Sequence, residues 1–316
     1  NSEKNQDELI STVPSIRIKL CGNFCINYGN KILDVKDISS QLCTLIAFLA
    51  VHQGSPCTAE MIISALFSDE IRNPQSALKN QVYRCRKFLI EKNIPTAKEL
   101  ILTMKGGYYL NPHLNIQIDT SEIEFICKQL TESSIDHFNE ERYLQLLDLY
   151  TGNFLSNLSY QDWFDPFSRH YHNLFFSQLY CYLEQLSEKN QYQKLLEIAK
   201  RLSFIDKYEE RVHYYIIKGL YRCQDSSSAI SYYQKISTMF YNDLGVELSE
   251  YIRVLYDEIA VSSKINHFNI SSLYKELTDN SAIHANPFYC EFGVLKQIFQ
   301  YQTRVFERTG QPMLLG

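Results

Sequence analysis

The hydrophobic period of this chain changes twice along its length, and those changes limit the folds open to it. Residues 16–34 read IRIKLCGNFCINYGNKILD. Ile16, Ile18 and Leu20 alternate with Arg17 and Lys19, and Phe24, Ile26 and Tyr28 alternate again. A period of two belongs to half-buried strands. Gly29-Asn30 tolerates positive φ and marks a hairpin before Ile32 and Leu33. A small antiparallel sheet of three or four strands is expected. From Ser39 the period becomes that of a helix. Leu42, Leu45, Ile46, Leu49 and Ala50 share one face, and the helix stops near Gly54. Thr58 is a good N-cap for a second, short helix carrying Met61, Ile62, Ala65 and Leu66. Pro74 suits the first turn of a third helix over 74–91. The strand period returns in ILTMKGGYYL, 101–110, as two short strands around Lys105-Gly106-Gly107. Beyond 111 strand and turn signals fade. Amphipathic helices then follow at about 121–131, 138–150, 164–188, 191–203, 207–222, 226–240 and 249–262.

The third helix is the informative one. At about 100° per residue, Leu78, Val82, Cys85 and Leu89 fall close together as a buried stripe. Opposite lie Ser76, Asn80, Tyr83, Arg84 and Lys87, with Lys79 and Arg86 flanking. Charge is concentrated in the same place. Residues 1–110 carry 13 Lys+Arg against 10 Asp+Glu; residues 111–316 carry 18 against 26. Arg72, Lys79, Arg84, Arg86, Lys87, Lys92, Lys98 and Lys105 stand against only Glu91 and Glu99 in 72–105, inside a chain of net charge −5. Charge alone fits a solvated helix face as well as a nucleic-acid contact.

A small sheet, three helices and a basic hairpin is the order of a winged helix, a variant of the helix-turn-helix. Residues 16–110 resemble the OmpR-type winged-helix DNA-binding domain, through the segment NPQSALKNQVYRCRKFL and, more specifically, the strand GGYYL. The resemblance implies that helix 74–91 enters the major groove, with a wing at 101–110. Arg84 and Asn80 would then read base edges, since Arg matches guanine and Asn adenine in bidentate geometry. Ser76, Lys79, Tyr83, Arg86 and Lys87 would meet phosphates or bases, and Lys105 would touch DNA from the wing tip. Thr58 caps the second helix, whose N-terminus could also hold a phosphate.

Residues 192–225 and 226–259 repeat at an offset of 34, with Leu195 falling on Ala229, Leu196 on Ile230, Ala199 on Tyr233 and Leu202 on Ile236. Two helices per 34 residues is the tetratricopeptide period. This region is also similar to the bacterial transcriptional activation domain that follows an OmpR-type winged helix in SARP-like regulators. The matching stretches are LLDLYTGNFL (146–155), Asp162-Trp163-Phe164 with Arg169 downstream, IDKYEERVH (205–213) and DLGVELSEYIRVLYDEI (243–259). Trp163 reads as a packing anchor with a buried ion pair beside it.

The expected fold class is therefore mainly α with a small β part: an N-terminal winged helix-turn-helix, then an α-helical tetratricopeptide-like repeat domain. The expected division is a polar segment 1–15, the winged helix 16–110, the helical activation domain 119–262, and 263–316 as a linker and the start of a third domain. That last stretch is similar to the opening of a degenerate diguanylate-cyclase-like domain, without its catalytic part. Nine cysteines, an odd number without CxxC spacing, indicate neither a disulfide framework nor a zinc site and suit a reducing compartment. His170 and His172 are two apart and fall on different helix faces, a poor metal pair. No GxSxG, HExxH, P-loop or GxGxxG occurs, so no catalytic residue, metal or cofactor is expected and the chain is read as no enzyme. No apolar run approaches the ~18 residues of a membrane span, and NSEKNQDELI lacks the features of a signal peptide, so a cytoplasmic location is expected.

The function that follows is a transcriptional regulator, an activator by family resemblance. Its expected partners are double-stranded promoter DNA, RNA polymerase, a second copy of itself on DNA, and an unidentified small-molecule or protein effector at the helical domain. The alternative is a helical-repeat scaffold whose winged helix docks protein instead of DNA.

Overall fold

The structure, a computed structural model, describes residues 16–67, 71–94, 96–132 and 139–266, with a few helical positions between 299 and 308. The expected 1–15 segment and most of 263–316 lie outside the described residues. By backbone contacts the chain divides into two compact units, Asn1–Val261 and Ser262–Gly316.

Strands β1 (Ile16–Lys19), β2 (Cys25–Tyr28) and β3 (Lys31–Asp34) open the first unit, then helix α1 (Ser40–Val51), strand β4 (Cys57–Thr58) and helices α2 (Ala59–Leu66), α3 (Pro74–Glu91) and α4 (Ala97–Leu100). The wing is β5 (Ile101–Met104) and β6 (Gly107–Leu110), and β7 (Ile116–Ile118) closes the β part. Helices α5 (Asp119–Glu132), α6 (Glu140–Leu149), α7 (Phe164–Glu188), α8 (Tyr192–Ile205), α9 (Glu210–Arg222), α10 (Ser226–Leu244) and α11 (Glu250–Asn266) follow. The chain is mainly helical with a small β part at its N-terminal end, as the hydrophobic periods require.

Two sheets frame the first part. One has the order β3-β2-β1-β7, the other β4-β6-β5. In the first, Ile18 lies opposite Ile26 in an antiparallel pair and opposite Ile118 in a parallel one, so Ile16 and Ile18 face the core while Arg17 stays outside. β7 corrects the expectation that strands end at 110. Its three residues, with only Ile116 and Ile118 buried, are too short to show a period, and they become a strand because β1 offers them an unpaired edge. Helix α4 is likewise absent from the sequence reading.

Helix α1 is buried from Leu42 through Ala50. A helix apolar on all sides needs neighbours on all sides, and α2, α3 and the sheets supply them. Leu78, Val82, Cys85 and Leu89 of α3 are buried as the stripe predicts, and burial pushes the Cys85 thiol up to about 12, so it packs as an inert apolar group.

The hydrophobic core does not break between the winged-helix and helical stretches. One cluster runs from Ile16 to Ile216, and a smaller one, Ile217 to Ile259, fills the last repeat. The seam is built of hydrogen bonds to buried backbone groups. Leu20 N–H donates to both Asp119 carboxylate oxygens at 2.9 and 2.8 Å, and Cys21 N–H to one of them at 2.8 Å. Loop 151–158 then lies along the β1–β2 turn. Leu155 N–H donates to Leu20 O, Gly22 N–H to Asn153 O, Ser156 N–H to Gly22 O, and Phe24 N–H to Asn157 Oδ1. Gly22, at φ +102°, permits this approach: a Cβ there would sit 2.2 Å from Thr151 Oγ1. Beside the loop, Trp163 meets the Phe48 ring edge-on at 5.1 Å, and Phe167 meets His52. Trp163 is thus the anchor expected. The buried ion pair expected beside it from Asp162 and Arg169 does not form: Arg169 meets Asp165 instead, at 3.8 Å, and the two side chains are 78% and 47% exposed.

Three of the four matched pairs of the repeat agree in burial: Leu195 and Ala229, and Leu202 and Ile236, are buried, while Leu196 and Ile230 are both half-buried. Ala199 and Tyr233 differ, since Ala199 is buried and Tyr233 is half-buried against Tyr256. No helix among the described residues is long and apolar enough to cross a membrane.

Asp119 generates two predictions. Asp119→Ala leaves the buried Leu20 and Cys21 amides without an acceptor and should cost about 2–4 kcal/mol, read by urea unfolding. The carboxyl also titrates. Burial raises it from the ordinary 3.8 to about 6, against the pull of the backbone N–H groups and Lys19. The folded chain therefore holds this proton more tightly than the unfolded one. The resulting stability is full below about pH 4 and is lost as pH rises through 6. The stability difference between the parent and Asp119→Asn should accordingly shift against the parent from pH 4 to pH 6.5.

Candidate nucleic-acid interface

Helix α3 begins at a designed start. Asn73 accepts from Ser76 N–H at 3.1 Å, and Pro74 fills the first turn, where its missing N–H costs nothing. The register set there turns Leu78, Val82, Cys85 and Leu89 inward, so Ser76, Lys79, Asn80, Tyr83, Arg84 and Lys87 project outward together. All six are exposed; Tyr83, a large aromatic, is 66% exposed. Lys79, Asn80, Tyr83 and Arg84 make no side-chain hydrogen bond or ion pair among the described residues. Lys87 has Glu91 at 3.7 Å, both open to water, a pair worth little.

Arg86 is placed otherwise. It leans off the outer face, and its guanidinium donates to Ile101 O at 2.8 Å and to Thr103 Oγ1 at 2.8 Å. Its side chain braces the wing against α3, a task that the spacing of α3 alone did not reveal.

The wing sits beside this face because β6 pairs with β4 as well as with β5. Cys57 lies opposite Tyr108, and Thr58 opposite Gly107. Gly107 has a steric reason to be glycine: a Cβ there would stand 2.1 Å from Cys57 O. Gly106, at φ +88°, turns the chain, and Lys105 is exposed at the tip. Thr58 is exposed and accepts from Met61 N–H at 3.2 Å, the N-cap expected of it. The neighbouring Ala59 N–H is already taken by Gly106 O at 2.8 Å, which ties α2 to the wing. Between α2, α3 and the wing lies a cleft of about 260 Å³, lined by residues including Gln75, Lys79, Thr103 and Met104. Gln75 and exposed Met104 join the same surface without having been singled out in the sequence. Their types carry no specific signal, and only the turn of the wing brings Met104 there.

Of the residues expected at a DNA surface, α3 therefore gathers Ser76, Lys79, Asn80, Tyr83, Arg84 and Lys87 on one face. Lys105 stands at the wing tip. Arg86 and Thr58 hold the frame.

Residues 139–260 match the family described as the bacterial transcriptional activator domain. Among solved structures, Mycobacterium tuberculosis EmbR in complex with a low-affinity phosphopeptide has a similar fold, with a TM-score of 0.59 at 16% identity, over 86% of this chain and 73% of that one. No curated protein matches by sequence.

Gly107→Ala should separate β6 from β4. The side chain has only backbone to push against, so unfolding should come at least about 2 kcal/mol earlier in a urea titration. Arg86→Ala should leave the global fold standing, with a loss of roughly 1–2 kcal/mol, while amide exchange in β5 rises above that in α3.

Proposed function

From a SARP-like chain with a bacterial transcriptional activator domain at 139–260, we propose a transcription regulator that binds promoter DNA through α3 and the β5–β6 wing. One observation carries this reading. The outward face of α3 presents Lys79, Asn80, Tyr83 and Arg84 without partners among the described residues, on a helix whose other face is locked into the core. Of the cations on this face only Lys87 has a carboxylate within reach, Glu91 at 3.7 Å. An unanswered row of hydrogen-bonding and cationic groups, standing proud of a rigid scaffold, suits a groove lined with phosphates and base edges.

In this reading Arg84 and Asn80 read bases. Lys79, Lys87 and Lys105 meet phosphates, and Ser76 and Tyr83 lie along the same groove. Phosphate contacts give affinity without sequence information, and the base contacts give the choice of site. The helical domain, by its family, contacts RNA polymerase and answers an effector, and two copies act on paired half-sites about one helical turn apart. The compartment is the cytoplasm, where promoter DNA is reached.

The test is fluorescence anisotropy on cognate and random duplexes at two salt concentrations, with melting curves alongside. Arg84→Ala should lose roughly 1–3 kcal/mol on the cognate site and little on random DNA. Lys87→Ala should weaken both alike and lower the salt slope by about one. Val82→Ala, whose side chain is buried, should affect stability first. If neither Arg84→Ala nor Lys87→Ala changes binding to any duplex, the winged helix is a protein-docking unit on a repeat scaffold.

A further inference from the structure

Away from the winged helix, His172 of α7, Asp206 at the end of α8 and Glu209 at the start of α9 bring one imidazole nitrogen and two carboxylates within 4.8 Å of one another. We propose that these three side chains form a binding site for a divalent first-row transition metal, of which Zn²⁺ is the representative.

The first argument is the balance of charge. Two carboxylates converge with a single imidazole, His172 Nε2 standing 3.1 Å from Asp206 Oδ2. The cations of the same turn are committed elsewhere. Lys207 Nζ is 3.0 Å from Asp243, and Arg211 pairs with Glu184 and lies over the Tyr180 ring at 4.3 Å. Glu209 has no ion-pair partner among the described residues. The cluster thus sets two carboxylates against one imidazole, and all three groups are half-buried.

The second argument is preorganisation. The turn that carries both carboxylates is pinned from several sides. Asp206 N–H donates to Leu202 O, and Tyr208 N–H donates to Asp206 Oδ1 at 2.8 Å. His213 Nε2 donates to Lys207 O at 2.8 Å, while its Nδ1 meets the Tyr232 hydroxyl. On α7, the Phe176 ring lies 4.4 Å from that of His172 and limits how it can turn. The buried Tyr180 hydroxyl stands beside Glu209 and helps to hold its carboxylate in place. Three ligands on a fixed turn and a fixed helix need only side-chain rotation to close to the roughly 3.3 Å spacing of ligand atoms around a tetrahedral zinc.

The third argument is ligand type. A neutral imidazole with two carboxylate oxygens suits Zn²⁺ and its neighbours, whereas Mg²⁺ and Ca²⁺ prefer oxygen alone. Bound metal would displace the proton from His172 and join α7 to the α8–α9 turn, adding a bond between successive layers of the repeat array.

The experiment uses the full chain, titrated with Zn²⁺ against a chromophoric chelator at pH 7.5. One equivalent should bind, and the melting temperature should rise with zinc concentration while equal Mg²⁺ or Ca²⁺ leaves it unmoved. His172→Gln and Glu209→Gln should each weaken zinc roughly tenfold or more. Glu209→Gln removes a charge from a surface turn without shortening the side chain, so it reports even if His172→Gln does not fold. Co²⁺ in place of zinc should give a spectrum without thiolate charge-transfer intensity. The proposal falls if no saturable zinc binding occurs, if zinc binds Glu209→Gln as tightly as the parent, or if Co²⁺ shows thiolate bands that place it on the exposed Cys181 or Cys223.

Discussion

The structure depends on one small set of hydrogen bonds at the end of β1. Leu20 and Cys21 run out of strand partners there, inside the core, and their amides would be unpaired if Asp119 did not accept them. Asp119 is also the first residue of α5, and its carboxylate accepts from the next amide, Thr120, at 2.8 Å. One side chain therefore ends a strand of the β part and begins the first helix of the helical part. A helix N-terminus suits a carboxylate, which offsets some of what burial costs it. The loop 151–158 completes the join by giving its own amides and carbonyls to the turn that follows β1. Buried backbone groups must be paired, and here each part supplies the partners the other lacks.

Rigidity at the proposed DNA surface follows from this seam. Helix α1, buried all round, lies between the seam and α3: Phe48 and His52 meet Trp163 and Phe167 on one side, and Gln81 of α3 donates to Gln41 O on the other. The wing is fixed in turn by Arg86 and by the β4–β6 pairing. The packed core therefore runs without a soft layer from the helical stretch to the face of α3, and such a core transmits displacement better than a linker would.

Much of this could be read from the sequence, and the parts that could not share a cause. The stripe Leu78, Val82, Cys85, Leu89 fixed which face of α3 is free, and Gly106-Gly107 marked the wing, because both signals are local and periodic. Thr58 and Pro74 announced their helices through caps whose chemistry is also local. What escaped were features made by distant residues. β7 is a strand only because β1 lies beside it. Arg86 looks like a member of a basic face until Ile101 and Thr103 are folded next to it. The sequence divides at 111–118 by its change of period, whereas the core continues there because the residues that join it, Leu20 and Asp119, are 99 apart. In sequence the neighbour of His172 is His170, whereas its partner in space is Asp206, 34 residues on. His170 turns instead toward Glu124, at 3.7 Å.

The claim on which the rest turns is that the winged-helix stretch and the first helices after it are one cooperative core. Native-state hydrogen exchange at increasing denaturant measures this directly, through the buried amides of Ile18 and Val82 on one side of the seam and of Leu147 and Phe175 on the other. The account predicts that all four converge on one opening free energy with one denaturant dependence. Exchange of Ile18 and Val82 through a smaller opening, with Leu147 and Phe175 still protected, would show two separately stable domains and contradict it.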